Sequence, residues 1–391
     1  FATLAVLHAP LLTSIAAASL RRISLFSSQD LANTSWSYAA LNFEAVPLLA
    51  AIAAASSSII HRGRFLDASA DEAHQLALDL TALTWAFSFA DCPTMVKEAG
   101  TLAGLVAIGR RVDLGVANAG RDSRIAAAGK APALVGQYDG YTSREAGEGF
   151  GTDFHTLVGA TPSVVLDCPG MAVVLKPAGW EVNSVGGQAD QDGRVLLSSF
   201  LQRSFSKERS LLVHLLDFGF GFLHRLDVPS SGLILVGTTF EGLYSLRGQL
   251  NTYRLAREYA TLCHGLVPPV LDVTGRVDAT SIVVLRSAVT ERGRPAVTCF
   301  LAPAQLLLRR FSGVIGNRLC VTVVRIRTGR RHQIRAHMRH VGHPSAADCW
   351  YCPEACLVRE PRIGRQLTPS KHLASSLAEQ QRIPRHSPQD L

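Results

Sequence analysis

The feature that most constrains this chain is an internal repeat in its first third. The segment from Pro10 to Ser19 recurs 37 residues later, from Pro47 to Ser56. A second segment around Trp36 returns around Trp85, and a weaker third copy begins at Pro93. Self-similarity at this period, in Ala- and Leu-rich stretches, is typical of helix pairs stacked into a solenoid. We therefore predict an all-α helical-repeat region over residues 1–110.

The repeated segments are similar to the octotricopeptide type of RNA-binding helical repeat found in organelles. This resemblance implies that residues 1–110 help to target RNA, and it favours an organelle, mitochondrion or plastid, over the cytoplasm. Two alternatives stay open. One is an ordinary Ala-rich bundle that positions the next domain, and the other is a scaffold that binds protein partners.

Charge is divided unevenly along the chain, whose formal net charge is +8. Residues 1–169 hold 11 Lys or Arg against 15 Asp or Glu, whereas residues 170–391 hold 28 against 16. The basic second half predicts a polyanionic partner, and the acidic first part argues against strong phosphate binding by that part alone. Only five of the 39 basic residues are Lys. Arg suits phosphate recognition, although a GC-rich genome produces the same bias.

Composition also bounds the class of protein. A hydrophobic content of 47% excludes wholesale disorder. The eight Cys are scattered along the chain, which argues against a secreted disulfide scaffold and favours an intracellular, reducing compartment. The longest apolar run, Val46 to Ile60, is too short to cross a bilayer. The chain begins with Phe1 rather than Met, so we expect a fragment or a processed form.

The hydrophobic pattern changes after the repeat. Residues 111–161 are rich in Gly, Ala, Asp and Ser and are predicted to form a linker. From Pro162 onward, β-rich runs such as Met171–Leu175 replace the helical period. We predict a second domain over residues 162–352 and a polar, disordered tail over residues 353–391.

Four motifs in this second domain carry the candidate chemistry. They are Lys176-Pro177-Ala178-Gly179, His224-Arg225-Leu226-Asp227 followed by Ser230-Ser231-Gly232, Arg257-Glu258-Tyr259-Ala260, and Thr328-Gly329-Arg330-Arg331-His332-Gln333-Ile334-Arg335. Ile334, Met338 and Val341 follow the last motif at helical spacing, so a helix is predicted to begin there. Its basic first turn suits a phosphate group.

These motifs, in this order and spacing, resemble the large-subunit-rRNA and tRNA type of RNA pseudouridine synthase. Val341-Gly342-His343-Pro344 and Asp348 to Tyr351 match the next landmark of that family. The resemblance implies an α+β fold around a curved, mainly antiparallel sheet. It also implies isomerisation of uridine in RNA to pseudouridine by base flipping, without a cofactor or a metal. The expected partner is rRNA, tRNA or an organellar transcript, with no membrane involved.

The resemblance also implies roles for individual residues. Asp227 corresponds to the catalytic carboxylate, Arg335 to the partner that keeps it ionised, and Tyr259 to the aromatic that stacks on the flipped uracil. The residues expected to contact RNA are His224, Arg225, Arg257, Arg330, Arg331, His332 and Lys176. Arg225 is placed to fill the space that the flipped base leaves.

Departures from the family pattern leave an alternative open. Ser230 stands where Thr is usual, and the closing strand of the family is not recognisable after Tyr351. The alternative function is a catalytically inactive RNA-binding or RNA-chaperone protein. Cys349, Cys352 and Cys356, near three His residues, could be read as zinc ligands. Because no second Cys-x-x-Cys pair exists, we predict no metal.

Overall fold

A computed structural model describes residues 7–62, 69–126, 161–183, 195–279, 286–307, 318–346, 348 and 350–352. These residues form two compact units. We call them the N-terminal unit, Leu7–Arg254, and the C-terminal unit, which begins at Leu255. The predicted tail, residues 353–391, lies outside the described residues. The division falls within the predicted second domain, whose limits stay a prediction.

The N-terminal unit begins with a series of helices, several of which have residues typical of helix starts in or just before their first turn. Ser27 and Ser69 each form a capping box, with Asp30 and Glu72 respectively, and Pro occupies the first turn of three other helices. The helices are α1 (Ala9–Arg22), α2 (Ser28–Leu41), α3 (Val46–His61), α4 (Ala70–Phe89), α5 (Pro93–Glu98) and α6 (Thr101–Ala126).

The repeated segments lie on corresponding helices. The copies that begin at Pro10 and Pro47 form α1 and α3, which contact each other, and the Trp36 and Trp85 copies lie on α2 and α4. Helix α2 packs against α4, where the two indole rings are 6.3 Å apart, and α4 packs in turn against α6. The helical prediction for the first third is therefore confirmed, whereas the type of repeat stays a prediction.

The predicted linker begins too early, because α6 continues through residue 126. The residues after 110 are rich in Gly, Ala, Asp and Ser, which predicted a linker, yet Asp113 and the preceding Gly109 both contact another helix. A Cβ at Gly109 would lie 2.4 Å from the Cα of Glu241, so only glycine permits this approach. Tertiary contacts therefore override the low helix propensity of these residues. Residues 127–160 lie outside the described residues.

A three-stranded antiparallel sheet follows the helices in the same unit. It contains β1 (Ser163–Cys168), β2 (Met171–Lys176) and β3 (Gly232–Gly237) in that spatial order. Two further helices are α7 (Leu197–Ser204) and α8 (Phe240–Asn251). Helix α8 packs against β3 and also against α4 and α6, so it connects the sheet to the N-terminal helices.

Polar contacts fix α8 on the N-terminal helices. The carboxylate of Asp113 accepts hydrogen bonds from the amides of Phe240 and Glu241, both at 2.9 Å. These amides belong to the first turn of α8 and have no partner within the helix. The Tyr244 hydroxyl lies 2.9 Å from Nδ1 of His74 on α4. Helix α8, which directly follows β3, is therefore held by side chains of the helical region.

The C-terminal unit is built on a four-stranded antiparallel sheet with the order β4-β9-β8-β5. Its elements are β4 (Arg257–His264), β5 (Val270–Val273), β6 (Val277–Asp278), β7 (Ala288–Val289), β8 (Thr298–Leu307), β9 (Arg318–Ile326) and α9 (Gln333–His340). Strands β6 and β7 form a separate pair. The core contains Cys263, Phe300, Cys320, Val324 and Met338, with Tyr259 and Ile334 packed at its border. The predicted α+β class is confirmed, with antiparallel sheets in both units.

No helix in the described part of the chain is both long and apolar enough to cross a membrane.

Candidate active site

Asp227 lies in a loop that leads directly into β3. The first residues of this loop lie next to β3 itself. The Leu223 amide donates to the Leu235 carbonyl at 3.0 Å, and Phe222 forms an antiparallel bridge with Val236. His224 is half-buried and its Nε2 accepts a long hydrogen bond, 3.4 Å, from the Leu235 amide. The loop is thus attached to the sheet through its backbone, with Asp227 half-buried and Arg225 exposed.

Lys176, at the end of β2, holds the other side of this loop. Its side chain is fully buried, and its ammonium donates to the carbonyls of Pro177, Trp180 and Val228 at 3.0, 2.7 and 3.2 Å. Burial lowers the pKa of Lys176 to about 8, against the opposing charge of Asp227. The structure therefore corrects the prediction that Lys176 contacts RNA. The buried ammonium instead positions the backbone next to Asp227.

The turn after Lys176 needs its glycine. Gly179 has a φ of +87°, in the region that disfavours side chains, and its amide donates to the Val228 carbonyl at 2.8 Å. The carbonyl that follows Asp227 therefore accepts from both Gly179 and Lys176. Lys176 and Asp227 are 51 residues apart in sequence, and the Val228 carbonyl oxygen connects their two motifs.

In the C-terminal unit, β4 carries Tyr259 and Arg257. Tyr259 is half-buried, lies opposite Val324 on β9 and packs at the border of the core. The Arg257 guanidinium donates to the Arg327 carbonyl at 2.6 Å. Arg257 therefore helps to shape the loop between β9 and α9, residues 327–332, which carries the other predicted RNA contacts.

Gln333 organises this loop from the first turn of α9. Its side chain is buried and makes four hydrogen bonds. Its Oε1 accepts from the Thr328 hydroxyl at 2.8 Å and the Arg330 amide at 3.0 Å. Its Nε2 donates to the Val297 carbonyl at 3.1 Å and the Thr298 hydroxyl at 2.9 Å. All donors and acceptors of the amide are thereby used at least once.

The buried His337 continues this network. Its Nδ1 lies 2.9 Å from the Thr298 hydroxyl, and its Nε2 lies 2.8 Å from the Gly275 carbonyl. Burial lowers the pKa of His337, so the neutral ring donates from Nε2 to Gly275 and accepts at Nδ1 from Thr298. Both ring nitrogens are occupied, which argues against His337 as a zinc ligand.

Arg335, one turn into α9, forms a bidentate ion pair with Asp348. Its Nε and Nη2 lie 2.6 and 2.8 Å from the two carboxylate oxygens, and both side chains are largely buried. Burial alone raises the pKa of Asp348, but the hydrogen bonds and charge of Arg335 outweigh it and leave that pKa below its ordinary value. The guanidinium carbon also lies 4.7 Å from the ring centroid of Tyr351. Arg335 is thus held in one orientation.

The remaining predicted RNA contacts lie on the same loop. His332 adopts a left-handed conformation with φ of +52°, and its Nδ1 lies 3.2 Å from the Tyr351 hydroxyl. Arg331 is exposed, while the Arg330 Nε donates to the Pro295 carbonyl at 2.9 Å. Arg257 and Arg330 therefore have a structural role beside any contact with RNA.

The three predicted catalytic residues belong to different units. Asp227 lies in the N-terminal unit, and Tyr259 and Arg335 lie in the C-terminal unit, so the predicted pairing of Arg335 with Asp227 stays a prediction. Sequence reasoning did not assign roles to Gln333, Thr328 or Asp348. Each belongs to a recognised motif, and Gln333 and Thr328 have partners 31 to 36 residues away, around Val297.

The described residues contain no group of three or more His, Cys, Asp or Glu side chains arranged to hold a metal ion. Cys349 and Cys356, two of the conceivable zinc ligands, lie outside the described residues.

Residues 170–340 match the family model for RNA pseudouridylate synthase. Among curated proteins, the chain is 29% identical over 192 residues to the ribosomal large subunit pseudouridine synthase D of Pseudomonas aeruginosa. That alignment covers 48% of this chain and 52% of the relative. This chain is also 34% identical over 135 residues to the protein of the same name from Nitrosomonas europaea. That second alignment covers 34% of this chain and 35% of the relative.

The chain thus spans about half or less of the length of the curated relatives it matches. A solved structure, human RNA Pseudouridylate Synthase Domain Containing 1, aligns with 49% of this chain and 69% of its own at 19% identity, with a TM-score of 0.33. The match to the family model includes the Asp227 loop, the Tyr259 strand and the Arg335 helix, so residues 170–340 of this chain are similar to RNA pseudouridylate synthases over the segments that carry the candidate site.

Proposed function

We propose that this chain isomerises specific uridines in RNA to pseudouridine, with rRNA, tRNA or an organellar transcript as substrate. The observation that carries the proposal is the Asp227 loop, which lies within the matched residues and is braced by Lys176, Gly179 and β3. The reaction breaks the glycosidic C–N bond, turns the uracil and forms a C–C bond through C5. A carboxylate fixed at one position can attack the substrate or stabilise the charge that develops.

Tyr259 and Arg335 are proposed to complete the chemistry. Tyr259 offers a planar face for stacking on uracil and a phenol that helps to remove the C5 proton. Arg335 is proposed to keep Asp227 ionised through a charge-assisted pair, which a carboxylate in a base-binding pocket needs because desolvation favours its neutral form. The bidentate contact with Asp348 supports this role, since it holds the guanidinium in a fixed orientation.

RNA binding is proposed to use residues of both loops. Arg225 is exposed two residues before Asp227, which suits a side chain that fills the space of a flipped base. Arg331, with His224, Arg257, Arg330 and His332, is proposed to contact the RNA backbone, which fixes register without reading sequence. For Arg257 and Arg330 this role adds to their bonds with backbone carbonyls.

The helical region is proposed to be a repeat of the octotricopeptide type that targets the RNA. The position of the repeated segments on mutually packed helices supports this interpretation. Ultraviolet crosslinking of the full chain to RNA, followed by mapping of the crosslinked peptides, tests it. Crosslinks within residues 7–126 are expected, and crosslinks confined to residues beyond 161 would instead favour a bundle that only supports the sheet.

The main experiment is pseudouridine mapping on cellular RNA incubated with the full chain, with Asp227→Asn and with Asp217→Asn. Asp217 is an exposed carboxylate of the same unit, so it controls for the loss of a negative charge. We expect new pseudouridines with the unmodified chain and with Asp217→Asn, and none with Asp227→Asn. If all three proteins form none but bind RNA in a salt-sensitive manner, the chain is an RNA-binding protein without turnover.

A further inference from the structure

Trp350 is an exposed aromatic residue beside a buried one. It keeps 42% of its surface exposed, whereas its neighbours Tyr351 and Cys352 keep 2% and 6%. The family resemblance assigns it no role. An exposed indole that serves only packing is expected to turn toward the core, as Tyr351 does, because burial of an aromatic side chain is strongly favourable. The position of Trp350 therefore needs a separate explanation.

The indole of Trp350 is held in place by its neighbours. Its backbone amide donates to Oδ1 of Asp348 at 3.1 Å. The guanidinium carbon of Arg335 lies 5.5 Å from its ring centroid, within the range of a cation–π contact. The ring of His332 lies 5.7 Å away in an edge-on arrangement. Since these groups restrict the indole before any ligand arrives, little conformational entropy is lost when a flat ligand stacks on it.

The surroundings of Trp350 are strongly basic. From Arg318 to Ala346 the chain contains seven Arg and no Asp or Glu. Arg331 and Arg339 are exposed, on the loop before α9 and on α9 itself. The nearby carboxylate of Asp348 is paired with Arg335. A fixed, exposed aromatic ring among cations matches a single-stranded nucleic acid, which presents flat bases along an anionic backbone.

We propose that Trp350 is a stacking platform for an unpaired base of the RNA, with Arg331 and Arg339 facing its backbone. This proposal rests on the proposed function and deepens it, because it requires a substrate that presents an unpaired base beside α9. Stacking is tolerant of base identity, so Trp350 contributes affinity and register rather than sequence preference. The competing explanation is that the indole only covers the Arg335–Asp348 pair.

Tryptophan fluorescence of the full chain distinguishes the two explanations. The chain is titrated with a short, uridine-rich single-stranded RNA and with an oligonucleotide of equal length and charge that lacks bases. Stacking predicts quenching by the first probe and much less by the second. The chain has four Trp residues, so Trp350→Phe identifies which of them responds: it should remove the base-dependent quenching.

Affinity measurements add a readout that does not depend on fluorescence of the protein. Binding of the dye-labelled RNA should weaken roughly tenfold in Trp350→Leu, which keeps apolar cover but cannot stack. Trp350→Phe should retain most of the affinity, since it keeps an aromatic face. Val270→Ala is the matched control, because Val270 is an exposed apolar residue of the same unit at 60% exposure, and it should leave affinity unchanged.

The proposal is overturned by equal quenching with both probes, by base-dependent quenching that persists in Trp350→Phe, or by unchanged affinity in Trp350→Leu. These outcomes are separate from turnover. A chain that forms no pseudouridine but shows base-dependent quenching at Trp350 would refute the enzyme and keep the platform. Pseudouridine formation by the unmodified chain, together with unchanged RNA affinity in Trp350→Leu, would support the enzyme and refute the stacking platform.

Discussion

The two loops that carry the candidate site are each held by one buried polar side chain, but the two side chains differ in kind. In the N-terminal unit, Lys176 is fully buried below the Asp227 loop. In the C-terminal unit, Gln333 is 2% exposed and holds loop 327–332. Neither loop has regular secondary structure to satisfy its backbone. In both cases a single side chain supplies the missing hydrogen-bond partners.

The difference follows from the groups that each backbone presents. Lys176 meets three carbonyls, two from the turn after Lys176 and one from the Asp227 loop, and an ammonium has three donors and no acceptor. Gln333 meets a hydroxyl and an amide of loop 327–332 and a carbonyl and a hydroxyl of Val297 and Thr298, which an amide side chain matches without a charge. The charged anchor pays a desolvation penalty that the neutral one avoids. The support of the Asp227 loop also depends on protonation of Lys176, whose pKa is about 8.

The largest effect is expected from Lys176→Met, which removes the donors to all three carbonyls. A carbonyl that loses its hydrogen-bond donor costs about 1–3 kcal/mol, and removal of the buried charge of Lys176 offsets part of the sum. We therefore expect a loss of about 3–4 kcal/mol in unfolding free energy. Pseudouridine formation should fall at least about 100-fold, because the backbone next to Asp227 loses its support. Urea unfolding and the mapping assay measure the two effects.

Lys207→Met is the control for Lys176→Met, since Lys207 is exposed in the same unit and should change neither quantity. Amide exchange adds a local readout. Protection should fall in residues 176–180 and 223–230 and stay unchanged in residues 327–340. Full activity in Lys176→Met would show that the Asp227 loop does not depend on this anchor.

The next largest effect is expected from Gln333→Leu, which leaves four partners, two of them buried, without their hydrogen bonds to Gln333. We expect a loss of about 2–3 kcal/mol in unfolding free energy, because no buried charge is removed in compensation. Gln333→Glu keeps the acceptor for Thr328 and Arg330 but loses both donors, so it separates the two halves of the network. Amide exchange should now change in residues 327–340 and not around Lys176; changes in both regions would contradict independent anchoring.

The contrast between these anchors shows what the sequence could and could not predict. The family resemblance suggested that Lys176 contacts RNA, but the structure buries its ammonium against three carbonyls. One of these, the Val228 carbonyl, is 52 residues away in the chain. Gln333 belongs to a recognised motif but received no role, since its partners Val297 and Thr298 are 36 and 35 residues distant. Pairings between distant segments leave no local pattern.

Where the signal is local, sequence reasoning performed better. The internal repeat predicted the helices of the first third, and the β-rich run Met171–Leu175 predicted strand β2. The exception is the second half of α6, which was predicted to be a linker because residues after 110 are rich in Gly, Ala, Asp and Ser. Asp113 in this half contacts α8, a helix more than 120 residues later in the chain.

A smaller effect, confined to the N-terminal unit, is expected at Asp113. Asp113→Ala leaves the amides of Phe240 and Glu241 without their acceptor, and loss of such a cap costs about 2 kcal/mol in a buried setting. Asp113→Asn keeps one acceptor oxygen and should cost about half as much. Amide exchange of α8 and urea unfolding measure this. An effect as large as that of Lys176→Met would show that the helical region supports the Asp227 loop as strongly as the lysine does.

Each unit also contains a histidine that is buried or half-buried, His337 and His74 respectively, which predicts a pH dependence in both. Burial lowers the pKa of His74 and of His337 below the ordinary value. The unfolded chain therefore takes up protons first as the pH falls, so the stabilisation is present above about pH 6.5 and is lost below it. The loss amounts to about 1.4 kcal/mol for each unit of pKa shift.

Urea unfolding at about pH 7.5 and about pH 5.5 tests this dependence on the wild type, His74→Gln and His337→Gln. Gln can replace one donor and one acceptor without titrating in this range. Each variant should flatten the pH dependence of its own unit, seen by amide exchange in α4 and α8 or in α9. An unchanged slope in both variants would assign the pH dependence to other groups.

The smallest effects are expected at the exposed ion pairs, one in each unit. Arg110 Nε lies 2.8 Å from Glu241, and Arg325 Nε lies 3.0 Å from Glu258, with both arginines at least 60% exposed. Solvent screening leaves such pairs about 0.5 kcal/mol or less, so Arg110→Ala and Arg325→Ala should barely shift the urea midpoint. Arg110→Ala is the sharper case, because Glu241 also donates its amide to Asp113. A loss near that of Asp113→Ala would mean that the pair and the cap act as one unit. In that event the N-terminal unit would rely on surface charge in a way that the C-terminal unit does not.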